Sequence, residues 1–160
     1  MLKMKKQKLL NRLKANSQGG FTLIELLVVI GILAILLAVT LIAINPNKHF
    51  EDARNAQRQS NVAAILDAIY EYESANNGKE PPSVAAVTSA TELGGGTGQI
   101  DICTDVTPTY LANMPMDPST GSGTACTGTY DSGYKIAQAN GRFTISAPAA
   151  EDGATISVTR

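Results

Sequence analysis

Nineteen consecutive residues, Leu26 to Ile44, carry no charge and consist of Leu, Val, Ile and Ala with a single Gly31 and a single Thr40. As a helix rising ~1.5 Å per residue, the run spans ~30 Å, about one hydrocarbon core of a bilayer. A secretory signal would have an apolar region of about 7–15 residues ending in a small-residue cleavage site. This run is longer, and Thr40-Leu41-Ile42-Ala43-Ile44 is a poor cleavage site. The run therefore reads as a transmembrane segment. One carboxylate, Glu25, stands at its start, where an apolar segment should not want it.

Charge divides the chain at the same place. Residues 1–20 hold Lys3, Lys5, Lys6, Lys8, Arg12 and Lys14 and no acid, whereas the remaining residues hold seven basic and fourteen acidic side chains. A basic flank before an apolar run stays in the cytoplasm, which places the acidic remainder on the far side of the membrane. That acidic remainder argues against a nucleic-acid footprint, because such footprints are basic. Residues 1–18 read as a leader removed during processing; the alternative is a weak amphipathic helix on the inner membrane face, using Leu2, Leu9, Leu10 and Leu13. Gly19-Gly20 breaks any upstream helix and leaves the extended, unhindered backbone that a protease needs.

Both cysteines, Cys103 and Cys126, follow the apolar run. An even count in an exported domain favours a disulfide over two free buried thiols. Closing a loop of this length contributes ~3 kcal/mol in the chain-entropy picture.

Asn45-Pro46 should interrupt the helix, since proline lacks the N–H and disfavours helical geometry in the residue before it. The helix should resume over residues 49–77. There Val62, Ile65, Leu66, Ile69 and Tyr72 follow an i, i+3, i+4 spacing and form one apolar face. From Glu51 to Ser60 that face is mostly polar, so this stretch is expected to be exposed or to meet partners. Asn77-Gly78 and Pro81-Pro82 stop the helix. Residues 83–129 are loop-rich. A short helix is expected over Ser83–Leu93, a flexible tract at Gly94–Gly98, a short strand at Ile100–Cys103 and a helical turn at Pro108–Ala112. Tyr134–Ala139 and Arg142–Ala147 flank Asn140-Gly141, a strong hairpin signal, and Ala154–Thr159 reads as a third strand. The expected fold class is α+β: a helix packed on a small antiparallel sheet.

The sequence does not display a catalytic constellation. The single histidine, His49, lies beside the apolar run and cannot supply a zinc cluster or a Ser/His/Asp triad by itself. The two glycine tracts complete no phosphate-binding motif, and Gly121-Ser122-Gly123 has the wrong spacing for a nucleophile elbow. The chain is therefore not expected to be an enzyme. Asp117, Ser119 and Asp131 are weak calcium candidates if their loop folds back, against ordinary turn chemistry.

Gly20-Phe21-Thr22-Leu23-Ile24-Glu25, after a basic leader and before an unbroken apolar helix, resembles the processing site of type IV pilins and pseudopilins, the proteins with class III signal peptides. The resemblance covers residues 12–44. It implies a pilin fold of three parts: a cleaved leader at 1–20, a transmembrane and filament-core helix at 21–45, and an extracytoplasmic globular domain at 46–160. It implies that a prepilin peptidase cuts between Gly20 and Phe21 and that Phe21 becomes N-methylated. Glu25 is then the carboxylate that meets the N-terminal amine of a neighbouring subunit. An ionisable residue in a membrane segment is a functional hypothesis by default, and the helix N-terminus and a nearby amine are suitable partners for it. The implied partners are further copies of the chain or related subunits in a helical filament, the peptidase, an inner-membrane assembly platform and, before assembly, membrane lipid. No nucleic acid and no cofactor other than calcium is implied. The subunit waits as a single-pass inner-membrane protein with its N-terminus inside, and ends in a cell-surface or periplasmic filament.

Two departures from the family pattern stand out. The kink proline frequent in the family would fall at Ile42, whereas here it is Pro46, and 34 residues follow Cys126. Pro115-Met116-Asp117-Pro118, a Gly/Thr loop and Tyr134 are similar, over a short and partial match, to the major pseudopilin of type II secretion, where a calcium ion can sit in the corresponding loop, but the usual aromatic after Asp-Pro is missing. A second reading is a minor pilin-like, membrane-tethered module for adhesion or DNA uptake. Against it, the basic residues after the helix, Lys79, Lys135, Arg142 and Arg160, are scattered.

Overall fold

In the computed structural model, residues 19–160 are described, and the chain divides between Asn45 and Pro46. The leader reading of residues 1–18 lies outside the described residues.

The first unit is a helix, α1 (Leu23–Ile44), capped by Thr22 in extended geometry. Leu and Ala supply helix propensity, and no proline interrupts them. The one hydroxyl within the apolar run, on Thr40, donates to the Leu37 carbonyl at 2.9 Å, so it adds no unpaired polar group. α1 ends where Asn45 turns into the left-handed region (φ 44°), a conformation asparagine tolerates better than most residues. The predicted interruption at Asn45-Pro46 is present.

The second unit begins with α2 (Pro46–Ala75), where proline occupies the first helical position and its missing N–H costs nothing. Its buried residues are Arg58, Asn61, Val62, Ile65, Leu66, Ala68 and Ile69. The apolar members match the predicted face, and Tyr72 lies half-buried at its end, edge-on to Tyr110. Asn77 and Gly78 both take positive φ, and the Gly78 amide reaches back to the Glu73 carbonyl at 2.8 Å, closing the helix at the predicted stop.

Five strands form the antiparallel sheet: β1 (Thr91–Gly94), β2 (Ser122–Thr124), β3 (Thr127–Ala139), β4 (Arg142–Ala147) and β5 (Ile156–Thr159). The order is β1-β3-β4-β5, with β2 also pairing with β3. Register pairs Ile136 with Ile145 and Ile145 with Val158. Alternation along β3 and β4 turns Tyr130, Ser132, Tyr134, Ile136, Phe143, Ile145 and Ala147 inward. α2 packs across β4 and β5, and the core between them takes in Val84, Leu93, Ile102, Val106 and Met114 from the connecting segment. The α+β architecture expected from the sequence is the one observed.

The connecting segment differs from expectation. Ser83–Leu93 is not a helix: it makes turns and then enters β1. Ile100 makes only an isolated parallel bridge to Leu93, and Cys103–Val106 is a short helix, α3, rather than the end of a strand. The chain leaves α3 in a turn, with the Tyr110 and Leu111 amides both bonded to the Val106 carbonyl. The glycine tract is tethered. Gly94 donates to Ile100, Gly95 to Tyr130, and Gly96 to the Gln99 side chain. β3 begins seven residues before the predicted Tyr134, because β2 pairs with its first half at Thr127 and Asp131, and β1 pairs with it from Asp131 to Ile136.

Candidate functional site

Gly19 and Gly20 are exposed, and nothing lies within 4 Å of where their side chains would project. Phe21 is 84% exposed. Glu25 closes a capping box with Thr22. Its carboxylate accepts from the Thr22 amide and hydroxyl, both at 2.7 Å, and its own amide donates to the Thr22 hydroxyl at 3.3 Å. The carboxylate thus lies at the positive end of the helix, one residue from the Phe21 backbone. Phe21, Ile24, Val28 and Val29 line a shallow groove with it. Every large apolar side chain of α1 is exposed, and α1 contains no buried residue.

A second polar assembly lies in the other unit, centred on Arg58. The Arg58 side chain is fully buried. Its Nε and Nη2 donate to the two Asp117 oxygens at 2.7 and 3.3 Å, and Nη2 also donates to the Ser119 hydroxyl at 2.7 Å. Nη1 donates to Asn55 Oδ1 and to Glu151, both at 3.0 Å. Arg54 forks onto the same Glu151 carboxylate at 2.7 and 2.8 Å. The Asn55 side chain both donates to the Glu151 carbonyl and accepts from its amide. Lys48 pairs with Asp152 in the same turn. The polar stretch expected to be exposed or to meet partners is instead consumed on one face by the chain's own loops. Asp52, Ala53, Ala56, Gln57, Gln59 and Ser60 remain exposed.

Burial pushes the Asp117 carboxyl up, but hydrogen bonds from Arg58, from the Ser119 and Thr120 amides and from the Ser119 hydroxyl outweigh it. They hold the group well below the usual carboxylate range. Arg54 first, and then Arg58, hold the Glu151 carboxyl down at about 2. Asn61, the other buried polar residue of α2, donates to the Tyr134 hydroxyl at 2.8 Å.

Asp117 and Ser119 are therefore brought together, around an arginine. Asp131 accepts from the Gly133 amide at 2.8 Å and lines a separate open cleft of about 290 Å³ with Glu92, Thr120 and Lys135. Among the described residues, no three His, Cys, Asp or Glu side chains converge as metal ligands. Cys103 and Cys126 are joined in a disulfide with Cα atoms 5.5 Å apart, so the two free thiols are not found. The Tyr130 hydroxyl touches Cys103 Sγ and donates to Asp101.

Residues 15–41 match the family model of the prokaryotic N-terminal methylation motif. The chain carries that motif. The matched segment contains Gly20, Phe21 and Glu25 and runs into the apolar helix. It supports a type IV pilin-like protein, and the helix that follows is long and apolar enough to cross a membrane, consistent with membrane anchoring. The motif implies prepilin-peptidase processing and pilus-type assembly in general terms. No curated protein and no solved structure matches the chain.

In this methylation-motif protein the residues missed by sequence reasoning are Arg54, Asn55, Arg58, Asn61 and Glu151. A signal for the helical ones was present. Arg58 precedes Val62 by four and Ile65 by seven positions, so it continues the buried stripe. Glu151 had no such signal, because nothing local ties a turn acid to a helix 93 residues away.

Proposed function

We propose that this chain is a structural subunit of a type IV pilus or pseudopilus filament. The leader, residues 1–20, is cut off between Gly20 and Phe21, Phe21 is N-methylated, and residues 21–45 serve first as membrane anchor and then as filament core. Residues 46–160 form the extracytoplasmic domain. The observation that carries this reading is the junction at residues 15–44: a methylation motif runs directly into a helix whose large apolar side chains are all exposed. Such a surface needs lipid or other apolar helices around it. The waiting subunit has lipid, and the filament has neighbouring copies or related subunits delivered by an inner-membrane platform.

Glu25 carries the assembly role in this reading. In the single chain its carboxylate already closes the N-terminal capping box. Cleavage would create a positive amine on Phe21, and the exposed carboxylate stays accessible to the amine of a neighbour. Mass spectrometry of the N-terminal peptide, from membranes and from sheared surface material, tests the proposal. A peptide beginning at methylated Phe21 in both fractions is the expected result. An unprocessed N-terminus, or a cut beyond Ile44, would overturn it.

A further inference from the structure

The loop at residues 115–121 carries one acid, Asp117, and a hydroxyl, Ser119, that a divalent cation would use, and a guanidinium already sits against both. An arginine side chain has five N–H donors. All five of Arg58 are engaged: two on Asp117, one on Ser119, one on Asn55 and one on Glu151. The acceptors are equally committed. Asp117 Oδ1 takes the Ser119 amide at 2.8 Å, the Ser119 hydroxyl at 2.9 Å and the Thr120 amide at 3.0 Å, besides Arg58 Nη2. Asp117 Oδ2 takes Arg58 Nε. The Ser119 oxygen accepts from the arginine while its proton goes to Asp117. Charge balances as well, since Arg54 and Arg58 face Asp117 and Glu151. A cation placed against Asp117 and Ser119 would have to displace a buried guanidinium, break its bidentate pair and leave it facing a like charge.

We propose that this loop is closed by the chain's own arginine, and that Arg58 takes the place of a calcium ion at Asp117 and Ser119, two of the three candidate ligands; the third, Asp131, bonds the Gly133 amide in a separate cleft. The residues do not fit the metal. One side chain of α2 instead gathers two segments distant in sequence, the 115–121 loop through Asp117 and Ser119 and the 148–153 turn through Glu151. The inference does not depend on which filament the subunit enters.

Thermal unfolding of the full-length chain in detergent micelles, followed by circular dichroism with a chelator or with millimolar calcium chloride, tests it. A cation bound at about a hundred-fold its Kd would raise Tm by about 10 °C in a domain of this size. The wild type is expected to show the same Tm in both conditions; a calcium-dependent rise of that order would overturn the proposal. Arg58→Met removes every donor while keeping an apolar side chain of comparable length. It is expected to lower Tm by about 10 °C or more. A folded Arg58→Met protein with the wild-type Tm would also overturn it. Should that variant not fold, the wild-type calcium comparison still decides.

Discussion

The Glu151 carboxylate receives two hydrogen bonds from Arg54 and one from Arg58. Its pKa falls from an ordinary 4.5 to about 2 on folding. A depressed folded value means that the unfolded chain takes up the proton first. The stabilisation is therefore complete above about pH 4.5 and is lost as pH falls toward 2. Asp117 is shifted in the same direction. Denaturant midpoints measured across this window should fall with pH, and Glu151→Gln should flatten the slope; an unchanged slope would refute the linkage. A second expectation concerns Tyr134→Phe. Without the hydroxyl, Asn61 Nδ2 keeps only the Met116 carbonyl at 3.4 Å. A buried donor so poorly satisfied should cost about 1–2 kcal/mol, read as a lower denaturant midpoint. Of the site residues, Glu25 was legible because a charge beside an uncharged run can be seen without a fold. The burial of Arg58 had a signal in the helical stripe, but its pairing did not, because its partner Asp117 is 59 residues away and becomes a neighbour only when the loop closes.

Among the elements, α2 announced itself through spacing, and its buried stripe carries the packing. Ile65 is fully buried, and Ile65→Ala should cost about 2–5 kcal/mol by chemical denaturation, through lost transfer energy plus the cavity left behind. The β3–β4 hairpin was equally readable. Asn140 and Gly141 both take positive φ, at 53° and 70°, as a two-residue turn of this kind requires. β1 and β2 were not readable. They are short, one ends in glycine and the other contains one, and neither alternates apolar with polar residues over a useful length. Their pairing with β3 defines them, and that is a tertiary fact. The same holds for the segment before β1, where the expected helix loses to turns that bury Val84 and Val87 in the core.

For the molecule as a whole, two results should separate stability from assembly. Replacing Cys103 and Cys126 by serine opens a loop of sequence separation 23 and should cost ~3 kcal/mol, visible as a matching fall in denaturant midpoint for the wild type under reducing conditions. Glu25→Ala should leave the protein in the membrane fraction and abolish its appearance in sheared filaments; normal filaments would remove the proposed role of Glu25. Neither change should mimic the other, because among the described residues the Glu25 carboxylate hydrogen-bonds only to Thr22 of its own helix cap. The sequence by itself determined what depends on neighbours along the chain: the apolar helix and its capping acid, the processing motif, the break at Asn45-Pro46, the helical stripe and the hairpin turn. These follow from periodicity, propensity and charge, which act over a few residues. The tertiary structure alone decided the full extent of β3, the enclosure of Arg58 by two distant loops and the engagement of Asp117 by an arginine. Those outcomes depend on which groups meet after collapse, where a buried charge must find its counter-charge from any part of the chain.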